Sequence, residues 1–183
     1  MKSAILLLSV LGVALFTGLT PSAAAASDMF IKIGDIKGES IDENHKDQID
    51  VLAWSWGISN SGSTSSGGGT SAGKANVQDF SFTKFVDLST TDLMLGTLTG
   101  QHFEEATFVV QKAGGAKLEF LKITFKDVIV TSVSTGGSGG EDRLTENVSL
   151  NFAEVMVEYT QQKSDGTAGT KKSFSWNIAE NTA

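Results

Sequence analysis

Leu118-Glu119-Phe120-Leu121-Lys122-Ile123-Thr124-Phe125-Lys126-Asp127-Val128-Ile129-Val130-Thr131-Ser132-Val133 is the stretch that decides the fold class. Apolar side chains occupy odd positions through Phe125 and even positions at Val128 and Val130. Alternation of period two marks a strand with one face buried, and a phase change of one residue predicts a β-bulge or bend near Lys126-Asp127. The same alternation recurs at Ser173-Phe174-Ser175-Trp176-Asn177-Ile178, where Phe174, Trp176 and Ile178 share one face, predicting a half-buried strand. In Val51-Leu52-Ala53-Trp54-Ser55-Trp56 the large residues Leu52, Trp54 and Trp56 fall on one side and Ala53 and Ser55 on the other. The large side is expected in the core, leaving a smooth, small-residue face.

Extending these patterns predicts strands over residues 29–33, 49–59, 77–86, 107–111, 118–133, 148–159 and 173–178. One helix is expected, N-capped by Ser89, Thr90 or Thr91, with Asp92 in its first turn, an apolar stripe of Leu93, Met94 and Leu98, and Gly100 ending it. The fold class is therefore all-β with one short helix. Residues 59–73, almost wholly Ser, Thr and Gly, read as a long loop, and 136–140 as a shorter one.

The amino terminus has a different character. Lys2, an apolar run over residues 4–19, Pro21 and the cluster Ala23 to Ala26 have the order of a secretory signal peptide. A membrane anchor would need roughly 20 apolar residues, more than this run supplies. The expected organisation is a signal peptide over 1–26 and one β-domain over 27–183, exported through the periplasm. The chain's formal charge is −7, and loss of Lys2 would leave the mature domain at −8. An acidic domain with scattered lysines has no electrostatic footprint for nucleic acid or an anionic membrane, so its partners are expected to be proteins. Cysteine is absent, and the single proline is Pro21, so the domain is held by core packing without disulfides. With no proline to blunt edge strands, neighbouring subunits or charged side chains must protect them.

Three motifs imitate chemistry. Gly68 to Ala75 spells G-x-x-x-x-G-K-A, but a phosphate loop needs Ser or Thr where Ala75 stands, and a helix where a strand is predicted. Gly136-Gly137-Ser138-Gly139-Gly140 fits G-x-S-x-G, yet His45 and His102 both precede Ser138 and no helix follows. Asp42, Glu43, Asp47 and Asp50 read as a solvated acidic loop rather than a calcium site. No catalytic residue, metal ligand or cofactor is expected.

Longer strings carry more information. Asp28-Met29-Phe30-Ile31-Lys32-Ile33-Gly34-Asp35, Val51 to Gly57, Val77-Gln78-Asp79-Phe80-Ser81-Phe82-Thr83-Lys84, Val133 to Glu141 with Leu144-Thr145-Glu146, and Trp176-Asn177-Ile178 resemble the haemolysin-coregulated protein (Hcp) family of type VI secretion tube proteins. The resemblance implies a compact β-barrel-like domain of two sheets with a flanking helix. It further implies a homohexameric ring, stacking of rings into a tube, a trimeric spike as cap, a contractile sheath around the tube, and small effector proteins carried in the lumen. Ser55 is then expected to face the lumen and touch effectors. Ser61, Gly62, Gly67, Gly68 and Gly69, with Gly136, Gly137, Ser138, Gly139 and Gly140, are expected in ring-stacking loops. The leader departs from the family pattern and leaves an alternative: a stand-alone exported ring or adhesin-like binding module outside the injection machine.

Overall fold

The computed structural model describes residues 27–60, 74–113, 117–140 and 142–182. In chain order these form β1 (Ser27–Ile33), β2 (Ile49–Asp50), β3 (Ala53–Ser55), β4 (Ile58–Asn60), β5 (Ala75–Val77), β6 (Phe80–Phe85), α1 (Ser89–Thr99), β7 (His102–Lys112), β8 (Glu119–Gly136), β9 (Thr145–Gln162) and β10 (Ala168–Asn177). Eight strands make one antiparallel sheet in the order β2-β1-β7-β8-β9-β6-β3, with β10 also paired to β9, while β4 and β5 form a separate two-stranded ribbon. The architecture is two sheets and one short helix, without a closed barrel.

The phase change read in the sequence is a crease across the sheet. Phe125 and Val128 are both buried although three residues apart, with Lys126 and Asp127 exposed between them. Their partners do the same: Ala106 and Phe103 on β7 face Phe125 and Val128, as do Val155 and Phe152 on β9. A flat strand cannot point residues i and i+3 to one side, so three strands shifting phase at one level fold the sheet over its own core. Asp127 accommodates the turn with φ of 50°. The register shift with β9 lies further along, between Val130 and Ser132, where Asp79 accepts hydrogen bonds from Thr131 (2.7 Å) and Asn151 (2.8 Å).

The strand expected over 49–59 is broken into three because it changes partner. Ile49 and Asp50 pair with β1, and Val51 N–H donates to Met29 O (2.9 Å). Leu52 N–H then donates to Thr83 O (2.8 Å), and β3 pairs with β6. One segment thus bridges both ends of the sheet, giving a barrel-like shape with a seam. This position also corrects the expectation that Leu52 and Trp54 lie in the core, for they remain 40% and 36% exposed. β3 is the last strand on its side, so no further strand covers them. Trp54 rests on Phe80 and Phe108 (ring centres 5.8 and 5.1 Å), and Trp56 on Phe125 and Phe152.

The helix ends at Gly100 as expected, with φ of 63°. Its start is capped differently: the Asp87 carboxylate accepts from the Ser89 N–H (2.9 Å) and hydroxyl (2.6 Å), so Ser89 lies inside the helix. Leu93 and Gly96 face the sheet, whereas Leu98, expected on the buried stripe, is 85% exposed. Strand β10 keeps Trp176 half-buried, packed on the core together with Ile178 just beyond it, and leaves Phe174 outside.

Candidate functional site

Beyond the crease, two rows on the outer face of β8, β9, β6 and β3 consist of small, uncharged residues. Ser132, Ser149, Ser81 and Ser55 form one row across the four strands, and Ser134, Asn147, Thr83 and Ala53 form the next. Each alternates with inward core residues, namely Phe80 and Phe82 on β6 and Val148 and Leu150 on β9. The polar groups partly satisfy one another: the Ser81 and Ser149 hydroxyls are 2.9 Å apart, and Thr83 donates to Asn147 Oδ1 at 2.7 Å. The product is a smooth, neutral, hydrophilic wall. Ser55 stands exposed in it, as the alternation predicts. The other wall residues were not singled out in the sequence, although Phe80-Ser81-Phe82-Thr83 carries the alternation that marks them.

Across the crease the same sheet is charged on its outer side. Glu105, Lys126 and Glu154 stand opposite one another on β7, β8 and β9, and Lys122 faces Glu158, which also pairs with Lys171 of β10. Such cross-strand ladders of alternating sign stiffen a surface. Next to them, residues 36–48 lie over β1 and β7: His45 stacks on Phe30 (4.4 Å), and Asp42 accepts from Lys117 (2.9 Å) and Gln111 (3.1 Å). The hydrogen bond from Lys117 is the main reason the Asp42 carboxyl titrates at about 2 instead of 3.8.

Two projections and one edge complete the candidate surfaces. The β4–β5 ribbon is anchored by Trp56 Nε1–H donating to Gln78 O and by Gln78 N–H donating to Gly57 O, both at 3.0 Å. It carries the stretch 61–73, so Ser61, Gly62, Gly67, Gly68 and Gly69 lie outside the described residues. Gly136 ends β8, and Gly137, Ser138, Gly139 and Gly140 follow it in the turn toward β9. A Cβ added at Gly136, Gly139 or Gly140 would meet no atom within 4 Å. The edge is β10, whose one ladder neighbour among the described residues is β9, with Asn177 at its end bridged to Thr182. Phe174 and Tyr159 lie beside it, 47% and 48% exposed.

Lys74 precedes strand β5, without a helix to present amides to phosphate, and Ser138 precedes strand β9. Neither place has the backbone its imitated motif requires. His102 is engaged with Asp127 (2.9 Å), and Asp42 with Lys117. Asn147 and Ser149, which spell a glycosylation sequon with Val148, lie within the β9 ladder. No helix among the described residues is long and apolar enough to cross a membrane.

Comparison with known proteins adds three findings. Residues 30–159 match a family model described as "Type VI secretion system effector, Hcp". The chain is 60% identical over 158 residues to "Protein hcp1" of Pseudomonas aeruginosa, covering 85% of this chain and 98% of that protein. Among solved structures it is similar to a type six secretion system protein (TM-score 0.82, 33% identity, 86% of this chain and 99% of that one). It is also similar to Hcp1 from Salmonella typhimurium (TM-score 0.72, 34% identity, 86% and 98%).

Proposed function

This chain belongs to the Hcp family of type VI secretion tube proteins, and from that premise we propose that its domain forms a homohexameric ring with the wall around Ser55 lining the lumen. The observation that carries this reading is the wall itself. Four strands present eight residues no larger than Asn, uncharged and partly self-satisfied. A surface exposed to bulk water has no need of such uniformity. A channel past which many different proteins slide does, because large or charged side chains would trap some and reject others.

Closed cyclic symmetry repeats one interface between two unlike patches. The edge of β10 away from β9, bridged only at Asn177 among the described residues and flanked by exposed Phe174 and Tyr159, suits one half of that interface, since an open apolar edge invites another chain. Stacked rings form the tube, joined by the Gly136 to Gly140 turn and the 61–73 stretch on its ribbon. The trimeric spike caps the tube, the contractile sheath surrounds it, and small effector proteins ride in the lumen. The subunit has a structural role and no catalysis of its own.

The leader read over residues 1–26 favours a second reading, in which the ring is exported alone and acts as a binding module outside the injection machine. The two are separated by whether the gene lies among sheath, spike and baseplate genes.

Size exclusion coupled to light scattering tests the ring. The wild type should give a hexamer mass, at least as complete in moderate salt as in very low salt because like-charged subunits repel. Ser55→Glu should keep that mass and lose co-purifying effector. A wild-type monomer at high concentration refutes the ring, and a Ser55→Glu variant that retains effector refutes the lumen assignment.

A further inference from the structure

The glycine turn rejoins the sheet through Arg143, Leu144, Thr145 and Glu146, and each of these is gripped by the end of β6. Glu146 Oε1 lies 2.6 Å from Lys84 Nζ. Thr145 is the ladder partner of Phe85, and Leu144 O accepts from the Val86 N–H at 2.9 Å. Arg143 adds the fourth hold, its guanidinium carbon 3.8 Å from the centre of the Phe85 ring. That is well inside the range of a cation–π contact.

Arg143 is unusual in three respects. It is the only arginine in the chain, against thirteen lysines. It is exposed, and among the described residues no carboxylate forms an ion pair with it, although it is near enough to Asp50 to favour that carboxylate's charged form. Stacking uses only the face of the guanidinium, so the in-plane N–H donors stay available to a partner. A lysine could neither lie flat on the ring nor offer a planar fork.

The surroundings agree. A Cβ at Gly136 or Gly139, in the turn that leads to Arg143, would meet no atom within 4 Å, so the described residues give no packing reason for glycine at these two positions. Glycine at these two positions keeps side chains off the turn that leads to the Arg143 cation. In a domain of net negative charge, that cation is an attractive point on a face that otherwise repels its like.

We propose that Arg143, clamped over Phe85, is the cation through which one ring grips the next, donating hydrogen bonds to carboxylate or carbonyl oxygens of a second copy of this chain. The assignment rests on the reading of the glycine turn as a ring-to-ring contact and adds to it the residue that makes the contact and the one that positions it.

The test uses the full chain produced in its host, with Arg143→Gln, Arg143→Lys and Phe85→Leu beside the wild type. Light scattering at low concentration reports ring mass, and sedimentation with electron microscopy at high concentration reports stacking. Ring mass should be the same in all four. The stacked fraction should fall at least about tenfold for Arg143→Gln, the loss expected of one charge-assisted hydrogen bond per junction. Arg143→Lys should restore only part of it, and Phe85→Leu should lower stacking although Arg143 is still present, an effect that a merely charged surface would not show. Equal stacking by Arg143→Gln, or full restoration by lysine, overturns the proposal. So do wild-type rings that never associate. A wild type that forms no ring overturns the ring reading itself, and this assignment with it.

Discussion

Lys84 Nζ lies 2.6 Å from Glu146 Oε1 and 2.7 Å from Asp87 Oδ1, with the Lys84 and Glu146 side chains wholly shielded from solvent. Thr90 donates to the same Glu146 oxygen (2.9 Å), and Asp87 caps α1, so one ammonium ties the helix to two strands.

Replacing Lys84 with Met would leave two carboxylates buried without their cation. Breaking a buried pair from one side costs about 3–5 kcal/mol, so Lys84→Met should shift the denaturant midpoint by that equivalent at fixed protein concentration. A near-neutral result would mean that the carboxylates relax to solvent when the lysine is lost.

Asp42 supplies a pH signature. Its carboxyl titrates at about 2 in the folded chain against 3.8 ordinarily, so its stabilising effect is complete above 3.8 and is lost as pH falls through 2. The Lys117 side chain is 40% exposed, so solvent screening discounts the benefit. Asp42→Asn should therefore be less stable than the wild type at pH 7, the difference narrowing below about pH 4 and closing near pH 2. Chemical denaturation across that range checks it, and a gap independent of pH would assign the effect to packing.

Phe174 stands on β10, beside its edge away from β9, and is 47% exposed. Phe174→Lys should leave the monomer's unfolding almost unchanged, because the ring is half exposed there, and should lower the hexamer fraction by an order of magnitude or more, as expected for an apolar interface anchor. Light scattering separates the two effects, and an intact hexamer would move the interface elsewhere.

The leader read over residues 1–26 is open to a direct test. Protein from the native host should begin within residues 24–28 by intact mass, as cleavage after the alanine cluster requires. A species starting at Met1 in the cytoplasm would remove the leader from the account.

Much of this was legible in the chain. The parity change between Phe125 and Val128 announced the crease, and the alternation around Trp54 placed Ser55 on the outer wall. Other features depend on register. Ser81, Asn147 and Ser149 become one surface with Ser55 only when β6 and β9 are aligned, which no single strand's pattern specifies. Lys84 could have been found, since it takes the inward turn after Phe80 and Phe82, but an inward lysine has meaning only once Glu146 is seen opposite. The change of partner at Val51-Leu52 is a tertiary event, and the local β pattern reads straight through it. The cap at Asp87 was missed because three hydroxyl residues follow it, each able to fill the role locally.

Strand β9 runs for 18 residues, about 60 Å of contour at the usual rise. Its first half belongs to the neutral wall and its second half pairs with the open edge strand. On the proposed reading, the surface that would meet cargo and the margin that would meet a neighbour are therefore opposite ends of one lever. In the proposed ring, calibre and closure would be set together: a substitution that loosens a junction at Phe174 would also tilt the row containing Ser149, and a cargo too wide for the bore would strain the junctions before it deformed any single subunit.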